Sequence, residues 1–352
     1  MGIEIFVVFL AVPLISHLIL VNVNIGLSVL SLLLKIFGYP NKVVKTVLKV
    51  LIAGEFVSGT LGTVLTVVLA GLWTPLLNIA ASALYIPLII SLIGISLRLP
   101  SIAGYWYTID NSSRSSIFIG TLMVVGGLLI PFGFRYIFAF INYPVGLESL
   151  EPLEADQWKA LYNPIFPPLY IHTISMTLLI GLFAGGYLLS TINEIEVINR
   201  LVRYFIPLIT IHVFGGIWLF ITLDKYSPYI TNKLLDVRLS NLSSISFLIM
   251  VLSISILILS IYLYQRTTSL RYFKIGFVSS VISLVSGEVA YDYSRFPYFV
   301  ITGSEGVKAK LFINRGVSIN LFDVSIPFLI LMTIAIISIY TVYLLVVKYI
   351  LE

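Results

Sequence analysis

The sequence contains no cysteine in 352 residues, which excludes disulfides, iron–sulfur clusters, thiolate-bound haem and thiol catalysis on this chain. Charge is scarce too: Asp, Glu, Lys and Arg supply 11% of residues, where a soluble domain carries about 25%. There are only three histidines. No internal repeat or low-complexity segment is evident. No basic lead-in precedes the first apolar segment, which runs well past the length of a signal-peptide core, so it is expected to stay in the chain as a span. The net charge of +5 and pI near 9.2 do not point to nucleic acid, because basic residues on such a chain mainly set membrane orientation.

What is present is hydrocarbon. Hydrophobic residues make up 59% of the chain and the mean hydropathy is +1.06. The runs are long enough to cross a ~30 Å apolar layer. They lack the dyad alternation of a membrane barrel, so the fold class expected is all-α, a polytopic helical bundle. About nine spans are expected, near 3–36, 44–72, 76–98, 116–141, 167–192, 201–223, 242–264, 274–293 and 322–350, forming one membrane-embedded unit over 1–352. Lys35, Lys42, Lys45 and Lys49 follow span 1, and Arg266, Arg271 and Lys274 follow span 7. The loop after span 4 instead carries Glu148, Glu151, Glu154 and Asp156. The positive-inside rule then places the N-terminus outside and the C-terminus in the cytoplasm of a prokaryotic cell membrane.

All three histidines, His17, His172 and His212, fall inside apolar spans. An imidazole in hydrocarbon needs a partner, so each is a functional candidate. His172 enters span 5 just after a Pro-punctuated loop, and Met250 lies in span 7, which runs in the same direction. At 1.5 Å per residue both sit ~8–12 Å below the outer surface. An imidazole and a thioether at matched depth can hold one haem iron from opposite faces, giving a low-spin centre suited to electron transfer. The bland alternatives are a Met that fills a gap and a His that bonds across helices; the second is favoured for His212. His17 lies between Pro13 and Gly26, which leaves room for a planar group beside span 1. Glu288 and Asp292 share one face of span 8, and two carboxylates one turn apart need a proton, a metal or a cation. Arg295 is the local counter-charge, to them or to a haem propionate. Glu55 is a further carboxylate inside span 2.

Together these residues resemble subunit I of the cytochrome bd quinol oxidase family. The family's low-spin haem b segment matches Asn163-Pro164, His172-Thr173 and Gly181. Its Met partner, three residues after a Phe, matches Phe247 and Met250. A first-span His followed by Gly nine further on matches His17 and Gly26, and the Asn-Pro segment between spans 4 and 5 reads Asn142-Tyr143-Pro144-Val145-Gly146. The family's span 8 signature falls on Gly287, Glu288, Asp292, Tyr293, Ser294, Arg295, Phe296, Pro297 and Tyr298, with Asp292 at the position of its ligand Glu.

The resemblance implies a low-spin haem b held by residues from about 160–265. It further implies up to two high-spin haems, of b or d type, held by His17 with Glu288 or Asp292. Quinol as electron donor, with Lys233 as a weak match to its binding loop, and a second membrane subunit are also implied. The departures are specific. The two glutamates that line the family's high-spin haem and proton route fall on Ser91 and Leu99, counted from Trp73 to Pro87. The acidic partner of the quinol-loop Lys falls on Arg238, and an Arg near the ligand Met falls on Leu248. Three readings follow: a haem-bearing oxidase subunit; a catalytically degenerate paralogue that partners a complete subunit I; and, from another class, a secondary transporter coupled through Glu55, Glu288 and Arg98.

Overall fold

A computed structural model describes residues 2–72, 84–110, 113–150, 153–236, 241–302 and 305–308. The expected span at 322–350, Trp73 and Arg238 lie outside the described residues.

Long apolar runs close their backbone hydrogen bonds as helices, as hydrocarbon requires. Ten helices are described: α1 Gly2–Ile36, α2 Asn41–Leu72, α3 Tyr85–Thr108, α4 Ser113–Asn142, α5 Gln157–Ala160, α6 Phe166–Thr191, α7 Ile195–Tyr226, α8 Pro228–Leu234, α9 Leu242–Thr267 and α10 Arg271–Tyr293. Eight of them are long and apolar enough to span a bilayer. The protein is an all-α integral membrane protein, and eight of the expected spans are matched by helices. The helices overrun several expected boundaries, most of all at the end of α3, which continues through Leu97–Thr108. Proline inside α1, α3, α4 and α7 (Pro13, Pro100, Pro131, Pro207) does not end them, a tolerance common in membrane helices.

Two short antiparallel hairpins, β1 Leu147–Leu150 with β2 Leu153–Ala155 and β3 Tyr298–Thr302 with β4 Glu305–Lys308, lie at one end of the bundle. That end also holds the start of α6 and the ends of α4, α7 and α10. Here it is called the hairpin end. The opposite end is tied by Lys45 to Asp110 and by Lys35 Nζ, which donates to the Ile109 carbonyl at 2.8 Å.

The pairing of helices shows an order not evident in the sequence. In the first half α1 packs on α2, α3 on α4, and α4 returns to α1. In the second half α6 packs on α7, α9 on α10, and α10 returns to α6. The halves meet through α1 and α6. At the centre of that crossing Gly26 faces Gly181 so closely that a Cβ on either would enter the other's backbone. Small residues allow this approach where no hydrophobic force drives helices together. The space expected beside Gly26 for a planar group is therefore occupied by α6. Serines play the same part within the second half: Ser246, Ser253 and Ser260 recur every seventh residue on α9, buried like Ser279, Ser283 and Ser286 of α10.

Candidate functional site: two imidazole positions and a buried charge network

His172 lies six residues into α6, ~9 Å along the helix. Its Nδ1 donates to the His212 carbonyl at 3.1 Å, which fixes the tautomer and leaves Nε2 without the proton. His212 answers in kind, its Nδ1 donating to the His172 carbonyl at 3.2 Å with Ser175 Oγ at 3.1 Å. The two rings stack with centroids 4.1 Å apart and planes 14° from parallel. His212 thus makes the inter-helix hydrogen bond expected of it, but its partner is the helix of the other imidazole. His212 is 3% exposed, and its Nε2 is a buried polar atom with no hydrogen-bond partner among the described residues. The stack rests on α7 glycines: a Cβ on Gly216 would stand 3.0 Å from His172 Cε1.

Met250 lies on α9, eight residues from its start at the same end, ~12 Å along. Its sulfur packs over α10, where a Cβ on Gly287 would come within 3.1 Å of Sδ. Phe247, one turn earlier, stacks on Phe220 of α7 at 6.4 Å. Since α6 packs on α7 and α10, and α9 packs on α10 and more lightly on α7, α6 and α9 stand across the bundle from each other. Core sites built from facing helices are where such bundles hold cofactors. The donor set, an oriented imidazole and a thioether each seated on a glycine, fits a haem iron in chemistry.

The first half repeats part of this arrangement. His17 Nδ1 donates to the Ser58 carbonyl of α2 at 2.8 Å, and its ring lies against Gly62, one turn on. Ser58 and Gly62 stand to His17 as His212 and Gly216 stand to His172. Beyond that the halves diverge. Gly133 of α4 faces Pro87 and Ser91 of α3, where Gly287 faces Met250. Ser91 Oγ donates to the Ile130 carbonyl at 2.8 Å. The interior is taken by Arg98, 1% exposed. It binds Glu55 in a fork (Nε–Oε1 2.8 Å, Nη2–Oε2 2.9 Å) and also donates to Ser28 Oγ at 2.9 Å and the Met123 carbonyl at 3.3 Å.

Near the hairpin end a third cluster joins α4 to α10. Arg135 grips Glu288 through both guanidinium Nη atoms. Arg295 Nη2 donates to Asp292 at 2.7 Å, and Nη1 donates to Asn142 Oδ1 at 3.1 Å. The Asn142 amide also reaches Tyr291 OH, and its carbonyl accepts from Ser227 Oγ. Arg135 and Arg295 are each 7% exposed. The expectation that Arg295 balances the acidic pair therefore holds for Asp292, while Glu288 belongs to Arg135. An arginine inside the apolar run 116–141 was the sequence signal for that partner.

Lys233 lies on α8, its ammonium 5.7 Å from the Tyr229 ring centre. The Tyr229 hydroxyl donates to the Phe296 carbonyl at 2.9 Å. Burial beside Tyr298 raises the Tyr229 phenol above its ordinary range. Leu99 points outward, about half exposed.

No protein-family model matches the chain, and no curated protein matches it in sequence. Among solved structures, the bd oxidase from Geobacillus thermodenitrificans contains a chain similar to this one, with a TM-score of 0.81 at 14% sequence identity, covering 99% of this chain and 98% of that one. At that identity the likeness is one of fold, and it extends over essentially the whole of both chains.

Proposed function

We propose that this chain is a haem b-binding membrane subunit of a bd-type oxidase complex, carrying electrons from quinol toward an oxygen-reducing centre. His172 and Met250 would hold the haem iron, Arg295 stands at the hairpin end as a candidate for a propionate, and a second membrane subunit would complete the complex. The observation that carries this reading is the orientation of His172. Its Nδ1 is committed to a backbone carbonyl on α7 and its ring is clamped against His212, the second-shell pattern that fixes a metal-binding imidazole. Bound there with His/Met ligation, a haem supplies one-electron transfer at a raised potential. The chain's own contribution is to hold the imidazole in one tautomer, exclude water with the aromatic cluster of Tyr136, Phe166 and Tyr170, and keep the nearby Arg135–Glu288 pair neutral in sum.

The test is a reduced-minus-oxidised spectrum of the purified chain with pyridine-haemochrome quantification. His172→Ala and Met250→Leu should each abolish the six-coordinate signal. Wild-type spectra in both would end the ligand assignment.

One observation favours the transporter reading: the matching helix pairing of the two halves, since transporters are commonly built from repeats. Against it, Glu55, Arg98 and Glu288 are all committed to ion pairs. Substrate-driven uptake by haem-free protein in vesicles would decide for transport.

A further inference from the structure

We infer that this chain holds no carboxylate-ligated, oxygen-reducing haem, and that the groups expected to build one serve instead as ionic cross-links within and between the two helix halves. The inference deepens the reading above, since it places oxygen chemistry on another chain of the complex. Its core does not need the low-spin haem to be present.

Three placements carry it. First, ligation would have to compete with ion pairs already made: Glu288 meets Arg135 through both oxygens, and Asp292 accepts from Arg295 through Oδ1. Both arginines are buried, so releasing either acid would strand a cation in a low-dielectric interior. Secondly, the expected partners diverge. The ring of His17 is held on α2, by Ser58 and Gly62, whereas Glu288 is held on α4, by Arg135. A porphyrin shared between them would need both side chains to turn away from their present bonds.

Thirdly, the interior of the first half is filled. Gly126 and Gly94 bring the α3 and α4 backbones together, and the Arg98 side chain runs past Gly127 to meet Glu55, one turn from the Ser58 that holds His17. Ser91, at one position where the resemblance calls for a glutamate, is packed against Gly133 with its hydroxyl already donated. A longer acidic side chain has no room there. Leu99, at the other, faces outward. His17 keeps a free Nε2 by the same logic as His172, but the residue facing α4 at the place equivalent to Met250 is a serine that offers iron nothing.

What the acids do instead is visible in which elements they join. Glu288–Arg135 links the last helix of one half to the last helix of the other. Arg295 and Tyr291 reach Asn142 at the end of α4, and Ser227 caps the same residue from the α7–α8 junction. Glu55–Arg98 ties α2 to α3, which otherwise touch little. Each is a cross-link at a seam where helix packing is thin.

The experiment uses the full chain, purified in detergent, with haem per polypeptide measured by pyridine haemochrome and carbon monoxide added to the dithionite-reduced protein. The result expected is at most one haem per chain, no carbon monoxide difference band, and no change in either from His17→Ala or Asp292→Asn. The Glu288→Gln protein should unfold at lower temperature, and the double variant Arg135→Gln with Glu288→Gln should recover part of the loss, which keeps the test readable if the single variant is poorly folded. A chain with no haem at all would support this inference while overturning the low-spin reading. Two or more haems per chain, or a carbon monoxide band that disappears in His17→Ala or Glu288→Gln, would overturn it.

Discussion

Replacing Glu55 by Leu removes the anionic half of the most deeply buried charge pair among the described residues. Arg98 is 1% exposed and makes four hydrogen bonds, two of them to Glu55. Without Glu55 the guanidinium keeps only Ser28 Oγ and the Met123 carbonyl, both neutral. Breaking a buried pair by removing one partner costs ~3–5 kcal/mol, because the other charge is left uncompensated. A competing figure must be weighed: interhelical hydrogen bonds in membrane bundles average only ~0.6 kcal/mol, since the unfolded chain in the membrane also finds partners. The larger value should apply here, because a fork of two charge-assisted bonds is lost and not one neutral bond. The assay is a double-mutant cycle with Glu55→Leu, Arg98→Met and the double variant, followed by denaturant titration in mixed micelles. Each single change should cost about 3 kcal/mol or more, and the double variant should lie close to the parent, since apolar replacement of a whole buried pair is often neutral or better. Single variants within about 0.6 kcal/mol of the parent, with no coupling in the cycle, would refute the claim that this pair holds the first half together.

The other predictions test the crossing, the stack and the far end. Gly181→Val places a side chain in the Gly26 backbone and should cost ~1–3 kcal/mol or more by overpacking, read as lower thermal stability; Gly59→Ala, with open space around it, is the control and should be silent. His212→Phe keeps an aromatic ring against His172 and the backbone carbonyl that orients it, so a low-spin haem should be retained. His212→Ala removes the stack and should broaden or partly convert the low-spin signal, read by low-temperature absorption and electron paramagnetic resonance. At the Lys45 end, the hydrogen bond from Lys45 holds the Asp110 carboxyl below its ordinary range, with Asn41 and Lys35 adding to it. A depressed carboxylate stabilises above its unfolded value and loses that contribution as pH falls through its folded value. Asp110→Asn should therefore match the parent's thermal stability most closely in acid and fall behind it toward neutral pH.

Hydropathy alone was enough to place eight helices, because the membrane leaves the backbone few options. That His172 and Met250 lie about two turns in from the same end of the bundle followed from span direction and rise. What stayed hidden were contacts set by helix rotation and by which helix neighbours which. Nothing in the sequence says that His212 faces His172 forty residues earlier, although both are histidines in apolar spans. Gly26 is the instructive miss. A glycine beside a candidate ligand reads equally well as room for a cofactor or as room for another helix, and only the crossing of α1 with α6 separates the two. Arg135 was passed over, although its rarity inside an apolar run marks it. Glu288 was assigned to Arg295 because Arg295 is nearer in sequence, whereas Arg135 is nearer in space.

The agreement between the halves isolates what distinguishes the two imidazole positions. His17 and His172 each stand nine residues before a glycine, and those two glycines are the pair that meet at the α1–α6 crossing. Each imidazole is therefore ~14 Å along its helix from one shared point, donating Nδ1 to the next spanning helix and lying over a glycine one turn beyond that acceptor. With backbone geometry so nearly repeated, the difference between the two positions rests on three substitutions in side-chain chemistry. His212 stands where the first half has Ser58. Met250 faces the α10 glycine where the first half has Ser91 facing that of α4. The first half places the Arg98–Glu55 pair in its interior. The second half thus keeps an imidazole, a thioether and a stacked support, while the first holds a closed ion pair beside a lone imidazole. A grafting experiment follows: Ser91→Met alone should not create a second six-coordinate centre, because Arg98 still fills the space, whereas Ser91→Met combined with Arg98→Leu and Glu55→Leu opens it. A second low-spin signal in the single variant would show that the charge pair is not what keeps iron out.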